Sequence, residues 1–133
     1  MKIILTVGVF DLLHIGHIKL FQNSRNLGDK LIVAVQKQNY INIFKPGTQV
    51  YYSEADRVYM VKSIKYVDDV ILYESVDKLL PNIPFDVFAV GEDQTNESFM
   101  KAKEWCKANN KQIVIVPRTK GISSSMLRIA QKS

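Results

Sequence analysis

His14 and His17 are the two histidines of the chain, three positions apart in Gly8-Val9-Phe10-Asp11-Leu12-Leu13-His14-Ile15-Gly16-His17. At that spacing the start of a helix projects both imidazoles from nearly the same face, and Gly16 keeps the space between them open. The N–H groups of a helix start favour an anion. Two imidazoles beside them add donors for phosphate oxygens whose charge grows during reaction. The pair suits phosphoryl or nucleotidyl transfer. A surface pair, a metal pair and two buried hydrogen-bonded side chains are the other readings of the spacing alone. A zinc hydrolase would have to complete its site with a carboxylate, since there is no third histidine. Neither the glycine fingerprint for dinucleotides nor a Walker loop is present.

The elements that must position this pair follow from the apolar pattern. Ile3 to Val7 is a short β-rich run that stops at Gly8, as a buried parallel strand entering a loop does. Ile15 to Leu27 carries Ile18, Phe21 and Leu27 near helical spacing, with Gly28 as a stop, and Leu31 to Val35 is a second strand. Strand, helix, strand at this length is a βαβ unit. Gln36 to Tyr52 is expected to be a long loop around Lys45, Pro46 and Gly47. Ser53 and Asp56 resemble a capping box for a helix running toward Tyr66.

Val70 to Tyr73 is expected as a third strand, followed by a short helix over Ser75 to Leu80 ended by Pro81. Asp86 to Val90 is a fourth strand entering Gly91, Glu92 and Asp93, and a helix over Glu97 to Ala108 precedes a fifth strand, Gln112 to Val116. A last helix is expected after Ser123. The pattern predicts one α/β domain over residues 1–133, a Rossmann-like three-layer sandwich on a five-stranded parallel sheet. In such sheets ligands bind beyond the carboxyl ends of the strands, which is where the first strand delivers the histidines.

Composition agrees with that assignment. At 133 residues and 15.2 kDa there is room for one ordinary domain, and 47% hydrophobic with 23% charged residues argues against disorder. Eighteen Lys and Arg against thirteen Asp and Glu give +5, which suits anionic ligands. No nucleic-acid-binding motif and no dense basic run accompanies the charge, so no nucleic-acid partner is expected. The single cysteine, Cys106, closes no intrachain disulfide and reads as packing beside Trp105, in a reducing compartment. Gly8 and Asp11 interrupt the first apolar run, so no signal peptide is expected, and no window approaches the ~20 apolar residues of a membrane span. A cytoplasmic protein with no integral membrane association is the expectation.

Three segments resemble a known family. Gly8 to His17 is similar to the HxGH region of nucleotidyltransferases, and Arg118-Thr119-Lys120-Gly121-Ile122-Ser123-Ser124-Ser125 resembles the RTxGIST signature of their cytidylyltransferase branch. Lys65-Tyr66-Val67-Asp68-Asp69-Val70-Ile71 resembles a third family segment, usually RYVDEVI. Within the branch, the resemblance is to bacterial glycerol-3-phosphate cytidylyltransferases, small homodimeric enzymes.

The resemblance implies transfer of CMP from CTP to a small phospho-alcohol such as glycerol 3-phosphate, giving CDP-glycerol and pyrophosphate by in-line displacement, in wall or capsule precursor synthesis. Ethanolamine phosphate as acceptor, and adenylyl transfer from ATP to a phosphorylated sugar or cofactor precursor, are the alternatives. Catalytic roles fall to His14, His17 and Arg118, the last gripping the triphosphate with its planar fork. Nucleotide binding falls to Gly8, Val9, Phe10, Asp11, Gly16, Lys45, Gly91, Gly121, Ile122, Ser123 and Ser124. Arg57 and Lys45 would face the acceptor, with Lys37 a competitor for the latter. Mg²⁺ or another divalent cation would travel with the triphosphate, with Asp11 a candidate ligand. Val9 stands where the family has Thr or Ser, Lys65 where it has Arg, and Lys120 where close relatives often have Glu.

Overall fold

Five apolar runs become five parallel strands, the inner three covered on both faces, the condition under which parallel sheets persist, while the two edge strands leave Leu72 and Ile115 exposed. The computed structural model describes residues 1–44, 47, 50–91 and 97–117. Its elements are β1 (Ile3–Gly8), α1 (Ile15–Arg25), β2 (Lys30–Gln36), α2 (Gln38–Phe44), α3 (Glu54–Lys62), β3 (Asp69–Tyr73), α4 (Val76–Leu79) with a 3₁₀ turn at Leu80–Asn82, β4 (Val87–Gly91), α5 (Glu97–Ala108) and β5 (Gln112–Val116).

The strand order is β3-β2-β1-β4-β5, with β1 paired to β2 from Ile3↔Lys30 through Gly8↔Val35 and to β4 at Ile4↔Val87 and Leu5↔Phe88. Alternation along the strands divides the core in two. Leu5, Val7, Phe88 and Val90 meet Val76, Leu80, Phe99, Ala102 and Cys106 on one face. Ile4, Val33, Val35, Val87 and Ala89 meet Phe21 of α1 and Val61 of α3 on the other. The result is the expected three-layer α/β sandwich. Each fully buried side chain of this size contributes about 1.5–3 kcal/mol.

The two ends of the sheet are built differently. At the amino ends, carboxylates of Asp29, Asp86 and Asp68 accept the backbone N–H groups of Lys2, Ile3 and Leu31 at 2.7, 2.8 and 2.8 Å. That edge is closed by structural hydrogen bonds. The chain reverses direction in strand order at β1, so the crevice of the sheet lies beyond the carboxyl ends of β1 and β4.

Local expectations are corrected in four places. The long loop after β2 contains α2, whose first N–H, from Gln38, donates to the Glu54 carboxylate at 2.9 Å, a tertiary cap invisible to local pattern. Helix α3 stops at Lys62 rather than near Tyr66, where the Ile64 N–H turns to the Val61 carbonyl at 3.1 Å, an i→i−3 bond, and the Ser63 hydroxyl takes the Tyr59 carbonyl at 2.8 Å. Pro81 sits inside the 3₁₀ turn instead of ending a helix, which its lack of an N–H allows at a first turn. Ile18 is exposed, and α1 docks through Phe21 and Ser24 in its place.

Cys106 is packing, as its sequence context suggests: it is fully buried in the core and burial pushes its thiol up to about 11. At pH 8 the group is protonated and sequestered. Alkylation of the folded protein by iodoacetamide is therefore expected to run on the order of a hundredfold slower than that of the urea-unfolded chain; equal rates would contradict the packing.

Candidate active site

The loop from β1 to α1 combines strained backbone with multiple anchors. Phe10 and Leu12 have φ of 56° and 49°, left-handed conformations that cost about 1–2 kcal/mol each in residues with a Cβ. Both side chains are buried in the protein. Between them Asp11, also buried, accepts the Tyr51 N–H on Oδ2 at 2.8 Å and the Tyr52 N–H on Oδ1 at 3.0 Å. The carboxylate thus ties the first loop to the segment before α3. Asp11→Asn leaves one accepting oxygen for two backbone donors and is expected to lower the urea-derived stability by about 1–3 kcal/mol; unchanged stability would contradict the splint.

His14 is the N-cap of α1, with extended backbone at φ −141°, ψ 178°, and His17 is its N3 residue. They form a reciprocal capping box. The Gly16 N–H donates to His14 Nδ1 at 3.0 Å and the His14 N–H donates to His17 Nδ1 at 3.2 Å. In a common capping box Ser or Thr faces Glu or Gln; here imidazoles occupy both places. Because each Nδ1 is an acceptor, the proton of the neutral ring resides on Nε2, so both rings carry an Nε2–H donor on the side away from the helix backbone. Ring centroids stand 4.1 Å apart at 36°. The pair presents two N–H donors beside the positive end of a helix dipole, at the carboxyl edge of the sheet.

Arg57 of α3 is completely buried. Its Nη1 donates to the carbonyls of Val9 and Gln36, each at 3.0 Å, and its Nη2 to Gln38 Oε1 at 3.1 Å. One planar guanidinium therefore links the histidine loop, the end of β2 and the start of α2. Burial lowers its pKa, while the charges of Asp11 and Glu54 oppose that shift. These donors face protein carbonyls, which gives Arg57 a positioning role that its expected acceptor contact did not include. Gln36, Gln38 and Glu54, the other members of this network, escaped the sequence reading. The signal available was a polar pair directly after a buried strand.

The remaining expected residues fall into two groups. Gly8 and Gly91 end the adjacent strands β1 and β4, Val9, Phe10 and Asp11 lie on the histidine loop, and Gly16 is in the first turn of α1. Lys45, Arg118, Gly121, Ile122, Ser123 and Ser124, and Glu92 and Asp93, lie outside the described residues. Lys37 is 3.6 Å from the Glu74 carboxylate, which Tyr40 also hydrogen-bonds. The segment Lys65 to Ile71 is at the opposite end of the sheet: Asp68 accepts the Leu31 N–H and lies 3.0 Å from Arg25, and Lys65 sits over the Tyr66 ring at 5.1 Å. No group of three or more His, Cys, Asp or Glu among the described residues is arranged to hold a metal ion, and no helix among them is long and apolar enough to cross a membrane.

Known proteins share this sequence and architecture. The family model described as Cytidylyltransferase-like matches residues 5–130. Glycerol-3-phosphate cytidylyltransferase of Bacillus subtilis is 36% identical over 131 residues, covering 96% of this chain and 95% of that protein. The protein of the same name from Staphylococcus aureus is 35% identical over 132 residues, covering 96% and 93%. The bifunctional protein HldE of Desulfatibacillum aliphaticivorans is 32% identical over 95% of this chain, which spans 26% of that longer protein. Among solved structures, the lipopolysaccharide core biosynthesis protein of Thermoplasma volcanium superposes with a TM-score of 0.72 at 27% identity, over 92% of this chain and 99% of that one. The chain therefore belongs to the cytidylyltransferase-like family and is a nucleotidyltransferase.

Proposed function

We propose that the protein transfers CMP from CTP to a small phosphorylated alcohol, with glycerol 3-phosphate as the acceptor, giving CDP-glycerol and pyrophosphate. The observation that carries this reading is the histidine capping box, which sets both imidazoles side by side at a helix start at the carboxyl edge of the sheet. In the proposed reaction an oxygen of the acceptor phosphate attacks the α-phosphorus of CTP. A new P–O bond forms as the bond to the β-phosphate oxygen breaks, and its electron pair leaves with pyrophosphate. His14 and His17 donate to phosphate oxygens as charge accumulates in the transition state, without covalent participation. Arg118, Ser123 and Ser124 are proposed to complete the triphosphate contacts, with Lys45 on the acceptor side.

Mg²⁺ is proposed to enter as the counter-ion of CTP. Asp11, with one backbone donor on each carboxylate oxygen, is better suited to holding the loop than to caging an ion. Identity of 35–36% across nearly the full length of proteins named for glycerol 3-phosphate supports that acceptor. Matches of similar identity to bifunctional proteins support testing a second reading, adenylyl transfer to a phosphorylated sugar. The experiment is pyrophosphate release with Mg²⁺, CTP or ATP, and glycerol 3-phosphate, ethanolamine phosphate or a sugar phosphate, with products identified by mass. CTP-selective formation of CDP-glycerol is the expected result. ATP-selective turnover would overturn the base, and turnover restricted to another acceptor would overturn glycerol 3-phosphate.

A further inference from the structure

Gly8 ends β1 with no side chain, and the space a Cβ would need there is filled by the ring of Phe10. An added Cβ would stand 2.8 Å from Phe10 Cζ and 3.0 and 3.1 Å from its two Cε atoms. The ring reaches that place because Phe10 takes a left-handed backbone, φ 56°, which turns its side chain back over the strand end. From there it makes two edge contacts, with Phe21 of α1 at 5.1 Å and 63° and with His17 at 5.7 Å and 81°. Phe21 is fully buried in the core, so the Phe10 ring connects His17 to the packed interior.

The hydrogen bond from the His14 N–H holds one atom of the His17 imidazole, and its 3.2 Å length is at the long end of the ordinary range. Two rings flank that imidazole and bear on its plane. Those flanks are the His14 ring at 4.1 Å and the Phe10 ring, nearly perpendicular at 5.7 Å. A strained non-glycine conformation that persists in a buried loop beside a reactive group is a recognised means of storing geometry for function.

We propose that Phe10, wedged between Gly8 and His17, is a positioning residue that sets the plane in which His17 presents its Nε2–H. Gly8 is side-chain-free to admit that ring. The inference rests on the proposed role of His17 in nucleotidyl transfer, and it gives the Phe10 side chain a role exerted through His17, separate from the nucleotide contact expected at this position. Leucine at position 10 keeps apolar bulk and loses the flat edge.

The test is a double-mutant cycle of Phe10→Leu and Gly8→Ala, read by kinetics, urea unfolding and ¹⁵N spectra of the histidine rings. Phe10→Leu is expected to lower kcat about tenfold or more with KM for both substrates within about threefold, because misorientation acts on the transition state rather than on binding. In the same variant the His17 ring signals are expected to shift or broaden. Gly8→Ala is expected to displace the Phe10 ring and reproduce both changes, and the double variant to be no worse than Gly8→Ala alone, as residues in contact are non-additive. Wild-type kcat in Phe10→Leu would overturn the proposal. So would a fall in kcat with unmoved His17 signals, or fully additive effects. If the wild-type protein turns over no triphosphate with any acceptor, the proposed function fails by itself. The His17 spectra and unfolding midpoints of the four proteins then still decide whether Phe10 orients that ring.

Discussion

His14→Asn and His17→Gln are each expected to lower kcat by about 10²–10³-fold, the cost of removing one preorganised donor to a developing oxyanion, while both proteins remain folded. These variants separate two jobs that each imidazole performs at once. Asn is among the strongest N-cap residues, and its side-chain oxygen takes the place of Nδ1 in accepting the Gly16 N–H. Gln at N3 is the usual partner in a capping box, and its oxygen takes the His14 N–H. Asn falls one ring atom short of the position of Nε2, and Gln with its oxygen on the cap directs its amide nitrogen elsewhere. Stability is kept and the donor is lost. His14→Ala, by contrast, removes cap and donor together and is expected to cost about 1 kcal/mol of stability in addition. Steady-state kinetics with urea unfolding checks both halves. Near-normal turnover by a folded His17→Gln protein would remove that imidazole from the reaction, and a large loss of stability in His14→Asn would contradict the capping geometry.

Arg57→Lys is the substitution expected to harm the fold most among those that preserve charge. The guanidinium is fully buried and spans three acceptors, the Val9 and Gln36 carbonyls and the Gln38 side chain, at 3.0–3.1 Å. A lysine ammonium is a single point and cannot reproduce the planar fork. Hydrogen bonds to a charged donor are worth about 1.5–3 kcal/mol each, and the Gln36 carbonyl left behind is buried. A loss of about 2–4 kcal/mol in urea unfolding follows, near the full stability of a marginal domain. Because the Val9 carbonyl belongs to the histidine loop, kcat is expected to fall about tenfold or more as well, with the folded fraction accounted for. Arg57→Met, which orphans the same carbonyls without a charge, tests whether shape or charge dominates: similar losses in both variants identify the lost hydrogen bonds as the cause. A lysine variant with unchanged stability would refute the clamp.

Much of this molecule is legible without coordinates. Five short apolar runs identify the strands, since a parallel strand buried in a sheet is a continuous apolar run, and the position of α5 follows directly from its sequence. The three-layer arrangement follows because alternating strands and helices can bury both faces of a sheet in few ways. The histidines too are legible as a phosphate-directed pair, because their spacing puts both in one helical turn at a strand's carboxyl end. Local pattern fails where a distant residue supplies the missing hydrogen bond. Helix α2 begins on the carboxylate of Glu54, and Asp11 holds backbone donors forty and forty-one residues away.

Sequence by itself determined the fold class and the identity of the paired imidazoles, because apolar period and helical spacing are local properties. Tertiary structure alone decided the strand order, the burial of Arg57 and the left-handed turn at Phe10. Each of these depends on which backbone groups and side chains meet across the fold, and no spacing along the chain encodes that meeting.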